Sequence, residues 1–443
     1  MRRDGAAPRH SKGRRAAPAR RPRPVRTIAC FEPSTTKDIP AMASHDPDHA
    51  TLVDVHGARE LPLVTVEGYS LQLRDKDGFI GDGASQTAFR ELLQQARKAR
   101  PEGTPDPFGR KHSRNFTKKE LDAILADDEP PAAAAMLHGV IETFAVELAH
   151  VTRQFLREPS WKGVERVVIG GGFPESDVGE RAILQASVIL RSQRIHVPLG
   201  RLSHEVDDGG LIGWVHLVPP TMLHHHDAIL AVDIGGTNLR CGIVKLRRKR
   251  AEDLSKAKVL ERQKWRHADD KPTRSALVER LASMLQELID HCDEEGLSLA
   301  PFIGIACPGQ VRKDGSIARG TQNLPGDWES DTFHLPSELQ KKLPTVGGIP
   351  TMVRLHNDAV VQGLSELPLM RDVKRWAILT IGTGLGNVSY ANKPEPPEDP
   401  EEEARKARKA RREQREAKEK AARKKEKAEK EKAEKKAAKA GRS

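Results

Sequence analysis

The stretch that most narrows the choice of fold is Ala228–Val244, AILAVDIGGTNLRCGIV. Ala228–Ile234 is a short apolar run, rich in β-branched residues, of the length expected for a buried strand. It closes around Asp233, and Gly235 and Gly236 then let the backbone turn tightly and approach a ligand with no side chain in the way. Thr237 and Asn238 add short polar groups, and Leu239–Val244 resumes a strand pattern. Strand, Gly-Gly-Thr turn and strand make a hairpin whose backbone N–H groups can cradle phosphate, with Asp233 placed to hold Mg²⁺ through water. Taken alone, such a turn is more often an ordinary β-turn, so its neighbours must decide.

Three further segments bear on it. Ala377–Gly386, AILTIGTGLG, is a second apolar strand ending in the turn Gly382-Thr383-Gly384. Thr351–Glu366, TMVRLHNDAVVQGLSE, is a strand that delivers Asn357 and Asp358 where a helix should begin. Phe302–Gly309, FIGIACPG, runs into a Pro-Gly turn, with TQNLPGDW following at Thr321–Trp328. Together the four resemble the ROK sugar kinases, members of the actin-like ATPase superfamily, and their order within about 160 residues is far more specific than any one of them. The resemblance implies that D-I-G-G-T-N is the first phosphate segment, that Asp358 is the catalytic aspartate, and that G-T-G is the second phosphate segment.

The chain order departs from that family. Relatives carry a G-G-G adenosine segment and a terminal G-L-I-G-A segment after the second phosphate turn. Here RVVIGGGF (Arg166–Phe173) and DDGGLIGWVHL (Asp207–Leu217) precede the first phosphate turn. The economical reading is a circular permutation. Residues 50–217 are then a nucleotide-side lobe equivalent to the usual second half. Residues 228–392 form the phosphate and sugar region of the usual first half, and 218–227 is the linker. Permutation is physically cheap where natural termini lie close together at the surface. The expected fold is α/β, two ribonuclease-H-like lobes around a central cleft. The run Leu52–Leu73 should pair with the strand leaving Thr380–Tyr390.

Charge is uneven. Residues 1–41 hold 11 Lys/Arg against 3 Asp/Glu, and residues 393–443 hold 20 against 13, so the two ends carry more than the whole net +11. The body between them is slightly acidic, and nucleic-acid binding cannot be read from it. Residues 1–41, rich in Arg, Pro and Ala, read as a disordered segment. A nucleic-acid arm, a transit peptide or an over-extended reading frame upstream of Met42 all fit it. Residues 393–443 form an Ala/Arg/Lys/Glu tail with no apolar stripe. It reads as a solitary helix that solubilises the chain or makes weak, salt-dependent nucleic-acid contacts. Cys30, Cys241, Cys292 and Cys307 lack metal or disulfide spacing and suit a reducing cytoplasm. No apolar run of membrane-spanning length is expected.

The sugar side is where the chain differs most from its relatives. The family has an E-x-G-H segment and then C-x-C-G-x-x-G-C, which binds a structural Zn²⁺. Glu67-Gly68-Tyr69 stands at the first, the cysteines are missing, and Ile80-Gly81 stands at a Leu-Glu position, so no structural zinc of that type is expected. Glu67 or Asp82 is a candidate replacement sugar contact; both read equally well as solvated loop residues. Asn323 is a sugar contact by resemblance. Gly170, Gly171 and Gly172 are the adenosine turn by resemblance, although three glycines after a strand are more often only a turn. His224–His226 read as an exposed linker, since three consecutive imidazoles cannot all face one ion.

Helical patterns are expected at 84–100, 132–156 and 273–290, the last with Leu277, Leu281, Met284, Leu285, Leu288 and Ile289 on one stripe. Another covers Glu180–Arg191 with Ile183, Leu184, Val188 and Leu190 as its apolar positions, and a capping box is expected at Thr117–Glu120. The resemblance implies an ATP-dependent kinase for a hexose hydroxyl. Backbone donors at Gly235, Gly236, Thr237, Gly382, Thr383 and Gly384 grip the phosphates, Asp233 organises Mg²⁺, Asn357 orients the sugar, and Asp358 is the base. The competing role for Asp358 is a helix N-cap. A non-catalytic sugar or nucleotide sensor or scaffold is the second reading and a transcriptional regulator the third. A homo-oligomer is compatible with all three.

Overall fold

The computed structural model describes residues 55–76 and 78–394. The segment 1–41, Cys30, the first three residues of the run at 52–56 and nearly all of the charged tail lie outside the described residues.

The strands of two five-stranded sheets are, in chain order, β1 (Val64–Tyr69), β2 (Arg166–Gly170), β3 (Leu199–Arg201), β4 (Ala228–Ile234), β5 (Leu239–Lys245), β6 (Lys258–Trp265), β7 (Leu299–Cys307), β8 (Met352–Asn357), β9 (Arg375–Ile381) and β10 (Leu385–Asn392). The first sheet is ordered β1-β10-β9-β2-β3 and the second β6-β5-β4-β7-β8. Both follow one pattern, a three-stranded antiparallel meander whose inner strand is joined by two parallel strands. In the second sheet the meander is continuous in sequence. In the first it is assembled from opposite ends of the described chain, with Val64 opposite Asn392 and Tyr69 opposite Val388. The pairing expected between the 52–73 run and the strand after Thr380 is thus made by β1 and β10.

The sheets are covered by α1 (Gln86–Lys98), α2 (Lys118–Asp127), α3 (Pro131–Phe155), α4 (Asp177–Ser192), α5 (Val206–Ile212), α6 (Pro220–His225), α7 (Arg274–Glu294) and α8 (Asp358–Leu364). Alternation explains how a strand such as β4 serves two cores. Ile229 and Ala231 face a middle cluster that also holds Leu211, Trp214, Val360 and Leu364 from α5, the turn after it and α8, with Ile378 and Tyr390 from the first sheet. Leu230, Val232 and Ile234 face the opposite side, against the Leu277–Ile289 stripe of α7. A third cluster packs α1, α3 and α4 on the outer face of the first sheet. With ~25 cal/mol for each Å² of apolar surface withdrawn from water, these three clusters are the main attractive contribution to the fold.

Local signals explain several boundaries. Thr117 and Glu120 form the reciprocal capping box that starts α2, and the Thr273 side chain accepts from Ala276 N at the start of α7. Two expectations need correction. On α4, Ile183 and Leu190 are buried, but Leu184 and Val188 are 60% and 65% exposed. The small residues Ala182 and Ala186 make the inner face instead, because α4 packs closely on α3. Second, α3 is 25 residues long, long and apolar enough by length and composition alone to cross a membrane. Here its apolar face is packed in the core with α1 and α4. Within 218–227, Pro220–His225 form α6, with Leu223 buried and His224 and His225 exposed.

Candidate active site

Both glycine turns stand at strand ends and are braced from outside. In the first, Gly235 N donates to Asn238 O at 2.9 Å, Ala268 N donates to Thr237 O at 3.2 Å, and His267 Nε2 lies 2.8 Å from Gly235 O. In the second, Gly382 N donates to Gly384 O at 2.9 Å. The first turn of α1 closes over it, with Gln86 N donating to Gly382 O at 2.9 Å and the Thr87 hydroxyl to Thr383 O at 2.8 Å. The turns come from different sheets, yet Thr237 Oγ1 and Thr383 Oγ1 are 3.5 Å apart. They face each other across a cleft of about 1760 Å³. That is larger than a typical small-molecule pocket of ~300–1,000 Å³.

Asp233, Gly235, Gly236, Thr237, Asn323, Asn357, Asp358, Gly382, Thr383, Gly384, Gly171 and Gly172 all line this cleft, as does Asp82. A Cβ on Gly236 would stand 2.8 Å from Asn323 Cβ, so only glycine permits that approach. Gly171 has φ +82°, and a Cβ there would meet the Ile381 carbonyl oxygen at 2.4 Å. The Gly170–Gly172 turn is therefore pressed against the end of β9, one residue before the second glycine turn, and Gly171 N donates to Gln362 Oε1 at 3.0 Å.

Two candidate residues do not line the cleft. Gly170 faces α8, where a Cβ would lie 2.4 Å from Gln362 Oε1. Glu67 lies on β1 beside a register shift between Val66 and Gly68, and its carboxylate sits 3.4 Å from Arg375 Nη2. Its carboxylate is thus engaged outside the lining of the cleft.

The Asn-Asp pair divides its duties differently from expectation. Asn357, not Asp358, is the N-cap of α8, its Oδ1 accepting from Val360 N at 3.2 Å. Its amide donates to Gly309 O at 2.9 Å and Ser70 Oγ at 3.1 Å, so most of its hydrogen-bonding capacity is already used. Next to it, buried His356 accepts Asn357 N on Nδ1 at 2.7 Å and presents Nε2 to Ala58 O at 2.8 Å. Burial lowers the His356 pKa to about 4, which keeps the ring neutral. Asp358 is left in the first turn, accepting from Ala359 N at 2.8 Å. Burial, and then the charge of Asp233, push its carboxyl up to about 6. A carboxylate with an affinity for protons in this range suits a general base.

Asp233 is also pushed up by burial, opposed by Arg240, whose Nη1 donates to Asp233 Oδ2 at 2.9 Å. Arg240 Nε also binds Asp207 of α5, which in turn accepts Lys264 Nζ at 2.7 Å. Asp207 is buried enough to raise its carboxyl, but Lys264 and Arg240 outweigh this and hold it below the ordinary range. Sequence reading missed Arg240, Lys264, His267 and Gln362, and it gave Asp207 no role. Only Arg240 carried a local signal, two residues after Asn238 inside the turn segment; the others depend on tertiary packing.

Residues 229–393 match the ROK family. A glucokinase of Thermotoga maritima is 32% identical over 168 residues, 36% of this chain and 43% of the relative. Among solved structures, the Lmo2764 protein of Listeria monocytogenes is 26% identical, with 37% of this chain and 47% of that one covered and a TM-score of 0.28. A protein of Cytophaga hutchinsonii is 20% identical over 36% of this chain and 47% of its own, also with a TM-score of 0.28. The chain spans less than half the length of each of these relatives. The matched segment contains both glycine turns, Asn323, Asn357 and Asp358, whereas Gly171, Asp207 and α1 lie outside it.

Proposed function

We propose that this chain transfers the terminal phosphoryl group of ATP to a sugar hydroxyl, a hexose being the acceptor class. The single observation that carries the reading is the opposition of Thr237 and Thr383, which sets two glycine turns from two sheets on one cleft with Asp358. Backbone N–H groups of Gly235-Gly236-Thr237 and Gly382-Thr383-Gly384 hold the phosphates, and Gly171-Gly172 leave room for the adenosine. Asp358 accepts the proton of the attacking hydroxyl as its oxygen bonds to the γ-phosphorus and ADP departs. Asn323 contacts the sugar, while Asn357 fixes Asp358 through the helix cap.

A hard divalent cation fits the donor set. Asp233 offers one carboxylate at the cleft, its Oδ1 receives no hydrogen bond from the described residues, and a cation held chiefly through water needs no larger cage. Mg²⁺, when bound, would be held by Asp233 through water and would offset the charge of the transferred phosphoryl group.

The same reading treats the two sheets as two ribonuclease-H-like lobes in permuted order, 50–217 and 228–392 joined through 218–227. It places the enzyme in a reducing cytoplasm, consistent with the buried, unpaired thiols of Cys241, Cys292 and Cys307. The withdrawal of Glu67 to Arg375 favours one alternative, a sensor that binds sugar or nucleotide without turnover. Purified protein with Mg²⁺, ATP and a panel of hexoses, beside Asp358→Asn, separates them. Sugar-dependent ADP release that disappears in the variant is expected. No release with any hexose supports the sensor, and turnover that survives the substitution removes Asp358 from the mechanism.

A further inference from the structure

Arg240 lies between two carboxylates from different parts of the chain. Its Nη1 is 2.9 Å from Asp233 Oδ2 on β4, and its Nε binds Asp207 Oδ1 on α5. The three side chains are only 13%, 15% and 21% exposed for Arg240, Asp233 and Asp207 respectively. Asp207 has a second tether, Lys264 Nζ at 2.7 Å, and its neighbour Asp208 binds Arg262. Arg262 and Lys264 both stand on β6, so α5 is tied to the sheet on either side of Arg240. A guanidinium this enclosed has little rotamer freedom, and its planar fork fixes the carboxylates it touches. One oxygen of Asp233 is consumed and the other is left without a protein donor among the described residues.

We propose that Arg240, held by Asp207, is the positioning residue that locks Asp233 Oδ2 and thereby turns Oδ1 toward the cation of the phosphoryl donor. Asp207 is essential to this because it takes the opposite side of the guanidinium. Without it, Arg240 collapses onto Asp233 and competes with the cation for both oxygens. Lys264, which lines the cleft beside Asp207, takes the other Asp207 oxygen, Oδ2, at 2.7 Å and fixes that carboxylate in place. Partners that orient a metal-facing carboxylate typically matter by about ten- to a hundredfold in metal affinity. The inference rests on the kinase reading for the role of Asp233 but concerns a different set of residues.

The test is calorimetric titration of ATP into the full chain, once with Mg²⁺ and once with EDTA, for the parent, Arg240→Gln, Arg240→Lys and Asp207→Asn. In Arg240→Gln, affinity for Mg²⁺-loaded ATP is expected to fall about tenfold or more while metal-free ATP binds within about twofold of the parent. Asp207→Asn should shift the same ratio in the same direction, and Arg240→Lys should recover part of it. Should Arg240→Gln fail to fold, Asp207→Asn alone decides. Equal losses with and without Mg²⁺, or no loss in Asp207→Asn, reduce the network to a structural tie and overturn the proposal. A parent chain that binds ATP no better with Mg²⁺ than without it overturns the donor reading instead.

Discussion

Asp358 begins α8 beneath a cleft, in a site that disfavours its charge. Its folded pKa of about 6 exceeds the ordinary carboxyl value of 3.8. Two consequences follow from that one shift. As a general base it must be deprotonated, so kcat/KM should climb with pH through about 6 and level off above it; a rate profile flat between pH 5 and 7 would remove Asp358 as the base. For stability, the folded state holds the proton more tightly than the unfolded chain. The fold therefore loses stability as pH rises from about 4 to about 6 and stays at the lower level beyond. Asp358→Asn abolishes that loss. It should be inactive by about a hundredfold or more yet more stable at pH 7.5 by up to about 3 kcal/mol, read by denaturant unfolding. A variant both inactive and markedly less stable would mean that the carboxylate is a structural group.

At the scale of elements, the junction of β8 and α8 carries the site. Asn357 caps the helix, ties the Gly309 turn and reaches Ser70 beyond β1. Asn357→Ala removes all three bonds and leaves buried partners unsatisfied. We expect a loss of about 2–3 kcal/mol, with a higher sugar KM because the Gly309 turn is released; a change under about 0.5 kcal/mol would contradict the cap. The division of labour here shows what was legible in the sequence. That a helix starts at Asn357-Asp358 was readable, because a strand pattern meets a polar pair before an apolar run. Which of the two caps it was not, since both residue types serve equally and only the Gly309 and Ser70 contacts settle it. Likewise the α7 stripe could be read because large apolar residues mark one face of an otherwise polar helix. On α4 the inner face is made partly of alanine, so Leu184 and Val188 misled. Glu67 was misplaced for a third reason: its partner Arg375 lies far along the chain.

For the molecule as a whole, the proposed permuted order makes a prediction that no single residue can. Val64 of β1 and Asn392 of β10 are direct partners, and Lys393 N donates to Leu63 O at 2.9 Å. The end of β10 therefore already stands beside the start of β1, and a short turn can join them. The opposite junction, 218–227, contains only the two-turn helix α6, with Pro220 and Thr221 exposed. A chain begun at Asp227, run to Lys393, joined through a short Gly-containing turn to Glu60 and ended at Val218 should keep every strand pairing in both sheets. Cutting and rejoining at exposed loops changes mainly closure entropy, which grows slowly with length. The rejoined protein should melt within a few degrees of the parent and bind Mg²⁺-loaded ATP within about threefold. Its amide exchange should be slow in β4, β7 and β9 as in the parent, because those central strands are flanked on both sides. An unfolded product, or a folded one that has lost nucleotide binding, would mean that α6 is an integral brace between the sheets and not a replaceable join. The order of the chain would then be part of the architecture itself.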